Sequence, residues 1–130
     1  MSANENRAPV LVVGGGIGGL GAALALSRKG IPVHVIEQAL EFKEIGAGIQ
    51  LGPNVFRMFE YLGLTEEMTK CAVFPLGLEM RDAITGQTVA ELPVDDRFYE
   101  KFRAPYAVIH RADMLNVIHE AARSPRAWSG

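Results

Sequence analysis

A cluster of glycines between an apolar segment and an alanine-rich segment constrains the fold of this chain most strongly. Residues 9–13 form a continuous β-branched run, which predicts a strand buried on both faces of a parallel sheet. The pattern G-x-G-x-x-G follows at once, at Gly14, Gly16 and Gly19, and residues 20–29 have the composition of a helix. A strand, a glycine turn and a helix in this order predict the start of a doubly wound α/β fold.

A second short apolar run, residues 33–36, predicts the next strand, and it ends in Glu37. In this context Gly14 permits the tight turn, Gly16 allows a pyrophosphate to approach the backbone, and Gly19 allows close helix–strand packing. The helix N-terminus attracts the pyrophosphate, and Glu37 can accept hydrogen bonds from ribose hydroxyls. An acid here disfavours the 2′-phosphate of NADP, but FAD and NAD both remain open. The alternative is a glycine-rich turn in an unrelated α/β protein with a chance acid.

The overall composition excludes several classes of protein. Net charge is −2, and 22% of the residues are charged, which argues against nucleic acid or an anionic membrane as partner. Residues 8–27 carry no charge, but the glycines within them would interrupt a membrane span or a signal peptide, and Glu5 precedes them. The single cysteine, Cys71, excludes an internal disulfide. We therefore expect a cytoplasmic protein.

Residues 41–54 form a glycine-punctuated segment that we interpret as a loop leading into a helix. Pro53 is suited to the first turn, and Val55, Met58, Phe59 and Leu62 recur at helical spacing. An NAD dehydrogenase usually continues with another regular βαβ repeat, whereas this segment brings bare backbone close to a bulky ligand. The alternative is a simple surface turn.

The second half of the chain predicts a hairpin, a polar segment, a strand and a final helix. Residues 76–81 and 88–92 are strand candidates joined by a turn that contains Gly86, and residues 94–103 predict a charged surface loop or short helix. Residues 106–109 predict a strand, and apolar residues from Met114 recur on one face of a helix that begins near Arg111. No strand pattern follows this helix.

Arg111 lies at the predicted N-terminus of that last helix, where the helix dipole disfavours a cation. An anionic ligand beside it would compensate, so Arg111 is a candidate ligand-binding residue. The alternative is an ordinary surface arginine.

Residues suited to metal binding or nucleophilic catalysis are few. One cysteine and widely spaced histidines predict no metal site, and no residue can be assigned as catalytic. We expect Cys71 to be a small buried residue and His119 to be exposed on the last helix.

Three segments together resemble the N-terminal part of single-component FAD-dependent aromatic hydroxylases, in the branch of 3-hydroxybenzoate 6-hydroxylase and salicylate hydroxylase. They are residues 12–20 with Glu37, residues 45–54, and residues 110–115 with the sequence H-R-A-D-M-L. The resemblance implies a set of cofactor-binding residues for FAD. The set comprises Gly14, Gly16, Ile17, Gly18 and Gly19 at the pyrophosphate, Glu37 at the adenosine ribose, Gly48 and Gln50 near the flavin and its ribityl chain, and Arg111.

The resemblance also implies a domain organisation and a reaction. Residues 1–75 would begin a Rossmann-like FAD/NAD(P)-binding domain with a parallel sheet. Residues 76–104 would start a substrate-domain sheet, and residues 105–130 would return to the first domain, so the chain is expected to be incomplete. The implied enzyme is a monooxygenase of aromatic hydrocarbon catabolism. It would use NAD(P)H and O2 to hydroxylate a phenolic acid, with 3-hydroxybenzoate to gentisate as the best candidate reaction.

The partners implied are a small aromatic acid, NADH or NADPH as a transient co-substrate, and a second copy in a homodimer of the full-length enzyme. We expect the 130-residue chain alone to be inactive. The alternatives are a non-catalytic truncated nucleotide-binding fragment and an NAD-dependent dehydrogenase domain.

Overall fold

The computed structural model describes residues 8–39 and 47–123. The chain begins with a strand, a helix and a strand, as the glycine pattern predicts. The elements are β1 (Val10–Val13), α1 (Ile17–Ser27), β2 (Val33–Ile36), β3 (Gly48–Leu51), α2 (Pro53–Leu62), α3 (Thr65–Cys71), β4 (Gly77–Arg81), β5 (Thr88–Pro93), α4 (Asp96–Phe102), β6 (Ala107–His110) and α5 (Arg111–Arg123).

The strands of the described residues form three two-stranded sheets. β1 and β2 pair in parallel, with Val13 opposite Ile36, and α1 makes the crossover between them. β3 pairs antiparallel with β6, and β4 pairs antiparallel with β5. The mixed α/β fold, the parallel pair and the hairpin confirm the predicted fold class.

The hydrophobic core lies where α1, α2, α3 and α5 meet the β3–β6 sheet. α5 packs against α1, and most of the buried apolar side chains form one cluster. Its members are Leu20, Leu24, Leu51, Phe56, Phe59, Leu62, Leu64, Met68, Ala104, Ala107, Ile109, Met114, Leu115 and Ile118. The core therefore fixes α1, which follows the glycine turn, and α5, which begins with Arg111.

The expected burial of residues 9–13 on both faces is wrong for the described residues. Leu11 is 56% exposed and Val13 is 79% exposed, and β2 is the only strand paired with β1 among these residues. On one side β1 contacts α1, where a Cβ added at Gly19 would lie near the Val12 side chain. On the other side the Leu11 and Val13 side chains are exposed.

The interpretation of residues 41–54 as a loop is only partly correct. Residues 47–54 are described, and Gly48–Leu51 within them form β3, an inner part of the core through Leu51. The following helix begins at Pro53 as predicted, but Phe56 is the buried residue of its first turn, while Met58 is 54% exposed. Gly46, which belongs to the segment expected near the flavin, lies outside the described residues.

Two minor expectations are also wrong. Cys71 is exposed, because it is the last residue of α3 and the buried contact of that helix is Met68. His119 is half-buried rather than exposed, because its side chain lines a cavity of about 290 Å³ between α1, β2 and α5. Among the described residues, no helix is long and apolar enough to cross a membrane.

Gly19 and Gly18 form a matched pair for testing the contact between α1 and the glycine turn. A Cβ at Gly19 would overlap the carbonyl oxygen of Gly14, whereas a Cβ at Gly18 would meet no atom within 4 Å. We expect Gly19→Ala to lower the free energy of unfolding by about 2 kcal/mol, because the backbone must shift. Gly18→Ala should raise it by about 0.5 kcal/mol, because alanine favours the helix.

Urea unfolding of the ligand-free chain, followed by far-ultraviolet circular dichroism, measures both changes. Equal stabilities of the two variants would show that α1 does not pack against Gly14 as described.

Candidate functional site

The candidate site begins at the turn between β1 and α1. Gly14 has φ of +105°, a conformation that favours glycine, and its N–H donates to the Ile36 carbonyl at 2.7 Å. This hydrogen bond continues the β1–β2 pairing into the turn. Gly14 and Gly19 therefore have geometries that require glycine within the chain itself, at the turn and at the helix–turn contact.

Gly16 and Gly18 are glycines for which the chain's own packing gives no reason. A Cβ at either position would meet no atom within 4 Å, and neither has a positive φ. Gly16 is the N-cap of α1, no side chain caps this end, and the first turn contains no acid. The N–H groups at the start of α1, including that of Ile17, are therefore left without a side-chain cap or a covering side chain, which suits an anion.

Glu37 lies next to this turn. Its carboxylate accepts a hydrogen bond from the Gly15 N–H at 2.6 Å and another from the Ala39 N–H at 2.8 Å. Both bonds favour the ionised carboxylate, so the Ala39 and Gly15 N–H groups lower the pKa of Glu37 from 4.5. The stabilisation by these bonds is complete above that ordinary value and is lost as pH falls through the lowered pKa.

The second part of the candidate site is the exposed face of β3. Along this strand Ile49 and Leu51 turn towards the core, while Gly48 and Gln50 lie on the exposed face. Gly48 pairs with His110 of β6, and a Cβ at Gly48 would make only ordinary contacts, the nearest with Val108 at 3.5 Å. The missing side chain thus leaves space on the exposed face rather than relieving a clash.

Arg111 lies beside this face, as the first residue of α5. The backbone N–H of Arg111 donates to the Ala47 carbonyl at 3.3 Å, and Arg111 is exposed. α5 is fixed by Met114 and Leu115, which are buried in the core. The structure therefore brings Gly48 and Arg111 to one edge of the β3–β6 sheet, and it brings the glycine turn and Glu37 to another place, the end of the β1–β2 pair.

Two residues of these surfaces were missed from the sequence. Gly15 was part of the glycine run, but nothing in the pattern showed that its N–H is bound by Glu37. His110 is opposite Gly48 and exposed, and only the strand pairing reveals this. Within residues 8–39 and 47–123, no three His, Cys, Asp or Glu side chains come together as a metal site.

The residues present fit a dinucleotide such as FAD. The glycine turn offers an uncapped helix start without side chains at Gly16 and Gly18, and an ionised acid lies beside it. The unused lone pairs on the Glu37 oxygens can accept hydroxyl hydrogens.

Comparisons with known proteins agree with this geometry. Residues 7–124 match the FAD binding domain family. The 3-hydroxybenzoate 6-hydroxylase of Polaromonas naphthalenivorans (strain CJ2) is 52% identical over 95% of this chain, which corresponds to 31% of the relative. The 3-amino-4-hydroxybenzoate 2-monooxygenase of Streptomyces cremeus is 39% identical over 81% of this chain and 27% of the relative.

A solved structure shows the same fold. The crystal structure of Klebsiella pneumoniae HpxO complexed with FAD and uric acid has a TM-score of 0.77 and 26% identity, covering 95% of this chain and 30% of that one. The chain thus spans about three tenths of the length of the proteins that it matches. Sequence, fold and the geometry of the glycine turn agree, and the chain belongs to the FAD-binding domain family.

Proposed function

We propose that this chain supplies FAD-binding residues of a flavin-dependent monooxygenase that hydroxylates a phenolic aromatic acid, with 3-hydroxybenzoate to gentisate as the specific reaction. The glycine turn carries the proposal from the structural side, because Glu37 lies beside an uncapped helix start with open backbone at Gly16 and Gly18. The 52% identity to a 3-hydroxybenzoate 6-hydroxylase supports the choice of substrate.

In this proposal the first part of the site holds the adenosine diphosphate half of FAD. The N–H groups at the start of α1, from Ile17 to Gly19, bind the pyrophosphate, because the helix dipole and the unpaired donors attract an anion. Glu37 binds the adenosine ribose through the lone pairs that Gly15 and Ala39 leave unused. Gly14 shapes the turn.

The β3 face holds the other half of the cofactor. Gly48 presents bare backbone and Gln50 an amide on the same exposed face, which suits the ribityl chain and the flavin ring. Arg111 places a cation at the N-terminus of α5, where an anionic ligand offsets the unfavourable interaction with the helix dipole.

Bound FAD supplies hydride acceptance from NADH or NADPH and activation of O2, which is chemistry that protein side chains lack. The described residues bind and orient the cofactor, and none of them is assigned as a catalytic acid or base. Overall, 3-hydroxybenzoate, NAD(P)H, O2 and a proton would give gentisate, NAD(P)+ and water. We further propose a cytoplasmic homodimer, with residues 1–75 and 105–130 in the FAD domain and residues 76–104 in the start of the substrate domain.

The function is tested on a chain that continues to the length of its relatives. We expect the purified protein to be yellow and to oxidise NADH or NADPH only when 3-hydroxybenzoate is added, with gentisate as the product on liquid chromatography. 3-Amino-4-hydroxybenzoate and 6-hydroxynicotinate serve as comparison substrates. A colourless protein that binds NAD would contradict the FAD proposal and favour a dehydrogenase.

The isolated chain of 130 residues gives a second test of the same proposal. We expect it to retain little FAD and to show no aromatic-dependent NADH oxidation, because the matched relatives are more than three times as long. Turnover by the short chain would contradict the proposed division of the site.

Arg111 is tested with Arg97 as a matched control. Arg97 is an exposed arginine in α4 that pairs with Asp95 at 3.0 Å, and neither of these residues belongs to the proposed site. We expect Arg111→Ala to weaken FAD binding about tenfold, the usual effect of losing a charged hydrogen-bond donor. Arg97→Ala should leave the affinity unchanged.

Isothermal titration calorimetry of each apoprotein variant with FAD measures the two dissociation constants. Equal affinities of the two variants would remove Arg111 from the cofactor site.

A further inference from the structure

The carboxylate of Glu37 has both oxygens engaged by backbone N–H groups in the ligand-free chain. Oε2 accepts from Gly15 at 2.6 Å, and Oε1 accepts from Ala39 at 2.8 Å. The first bond joins the β1–α1 turn to the end of β2, and the second closes the turn that follows β2. A carboxylate that served only as a ligand for ribose would not need either bond.

The bond from the Gly15 N–H to Glu37 matters because of where Gly15 lies. This residue is buried, and a buried N–H without a partner is costly. It stands between Gly14, whose φ is +105°, and Gly16, the N-cap of α1. Glycine backbone is the least restricted of all, so the orientation of the Gly15 peptide needs an external restraint. Glu37 supplies that restraint from outside the turn.

The neighbouring bond fixes the other side of the same turn. The Gly14 N–H donates to the Ile36 carbonyl at 2.7 Å, so consecutive N–H groups of the turn are bound by consecutive residues of the β2 end. The first of these bonds is backbone to backbone and survives any substitution at position 37. The second depends on the side chain of Glu37.

We propose that Glu37 is a positioning residue for the glycine turn, which it holds in the shape that receives a pyrophosphate before any ligand binds. The inference rests on the proposed function for the identity of the ligand, but it assigns Glu37 a second role that is independent of the ribose hydroxyls. A nucleotide without those hydroxyls still depends on Glu37, because the acid acts on it through Gly15.

Hydrogen exchange of the ligand-free, full-length protein tests the restraint directly. We expect the peptide that contains Gly15 to exchange about tenfold faster in Glu37→Ala, the effect of losing one hydrogen bond to a charged acceptor. Glu37→Gln keeps one acceptor oxygen and should give an intermediate rate. Glu91→Ala removes an exposed carboxylate from β5 and is the control. Unchanged exchange of α5 peptides shows that the variants are folded.

A binding cycle separates positioning from ribose contact. The apoproteins of wild type, Glu37→Ala and Glu37→Gln are titrated with FAD and with an FAD analogue whose adenosine is 2′,3′-dideoxy. We expect Glu37→Ala to bind the dideoxy analogue about tenfold more weakly than wild type does. FAD should lose more, because the ribose contact disappears as well. Glu37→Gln should lie between wild type and Glu37→Ala with both ligands.

The outcomes distinguish this inference from the proposed function. Equal binding of the dideoxy analogue by wild type and Glu37→Ala, together with unchanged exchange at Gly15, would overturn the positioning role and leave FAD binding intact. A wild type that binds neither ligand would overturn the proposed function, and the exchange rates of the ligand-free protein would still decide the positioning role. Should Glu37→Ala fail to fold, the same comparison is made with Glu37→Gln.

Discussion

The close approach of α1 to the turn that precedes it is the constraint on which the rest of the structure depends. A side chain at Gly19 would force the backbone to shift, because its Cβ would overlap the carbonyl oxygen of Gly14. This contact sets where the helix begins and brings its first turn next to the ends of β1 and β2. It also directs Leu20 and Leu24 into the core, where α5 packs against them. The same contact thus positions the helix start that we assign to the pyrophosphate and anchors the hydrophobic cluster.

The parallel register of β1 and β2 determines which groups meet at that point. Val13 is opposite Ile36, so the residues that follow each strand, Gly14 and Glu37, emerge side by side. Backbone pairing then continues from Gly14 to Ile36, and the Glu37 side chain reaches the next N–H, that of Gly15. The acid therefore lies beside the glycine turn as a consequence of strand register. A shift of register by one residue would turn its side chain to the opposite face of the sheet.

Elements that depend on local sequence were predictable, and those that depend on distant partners were not. The hairpin was predicted at residues 76–81 and 88–92 and forms at Gly77–Arg81 and Thr88–Pro93, because alternating strands and a turn with Gly86 are encoded in one short segment. β3 was missed, because a segment that begins with Gly48 becomes a strand only by pairing with β6. For the same reason, no local pattern showed that His110 lies opposite Gly48.

Within the site, residue types were predictable and their contacts were not. The spacing of Gly14, Gly19 and Glu37 indicated a nucleotide turn, and the structure shows the steric reason for both glycines. The bond from Gly15 to Glu37 joins two separate strand ends, so it requires the register as well as the sequence. The exposure of Val13 was likewise hidden, because burial of a strand depends on which neighbours cover it.

The matched proteins bear on where substrate choice is made. Two of them are named for 3-hydroxybenzoate and 3-amino-4-hydroxybenzoate, and the HpxO structure contains uric acid, yet all share the fold or sequence of this region. Features that proteins with different bound compounds share do not determine which compound each protein selects. This chain has a glycine turn, an acid whose pKa is lowered by backbone N–H groups, and an open strand face, all suited to a dinucleotide. Under the proposed function, the described residues determine cofactor binding, and groups that contact the aromatic ring determine the substrate.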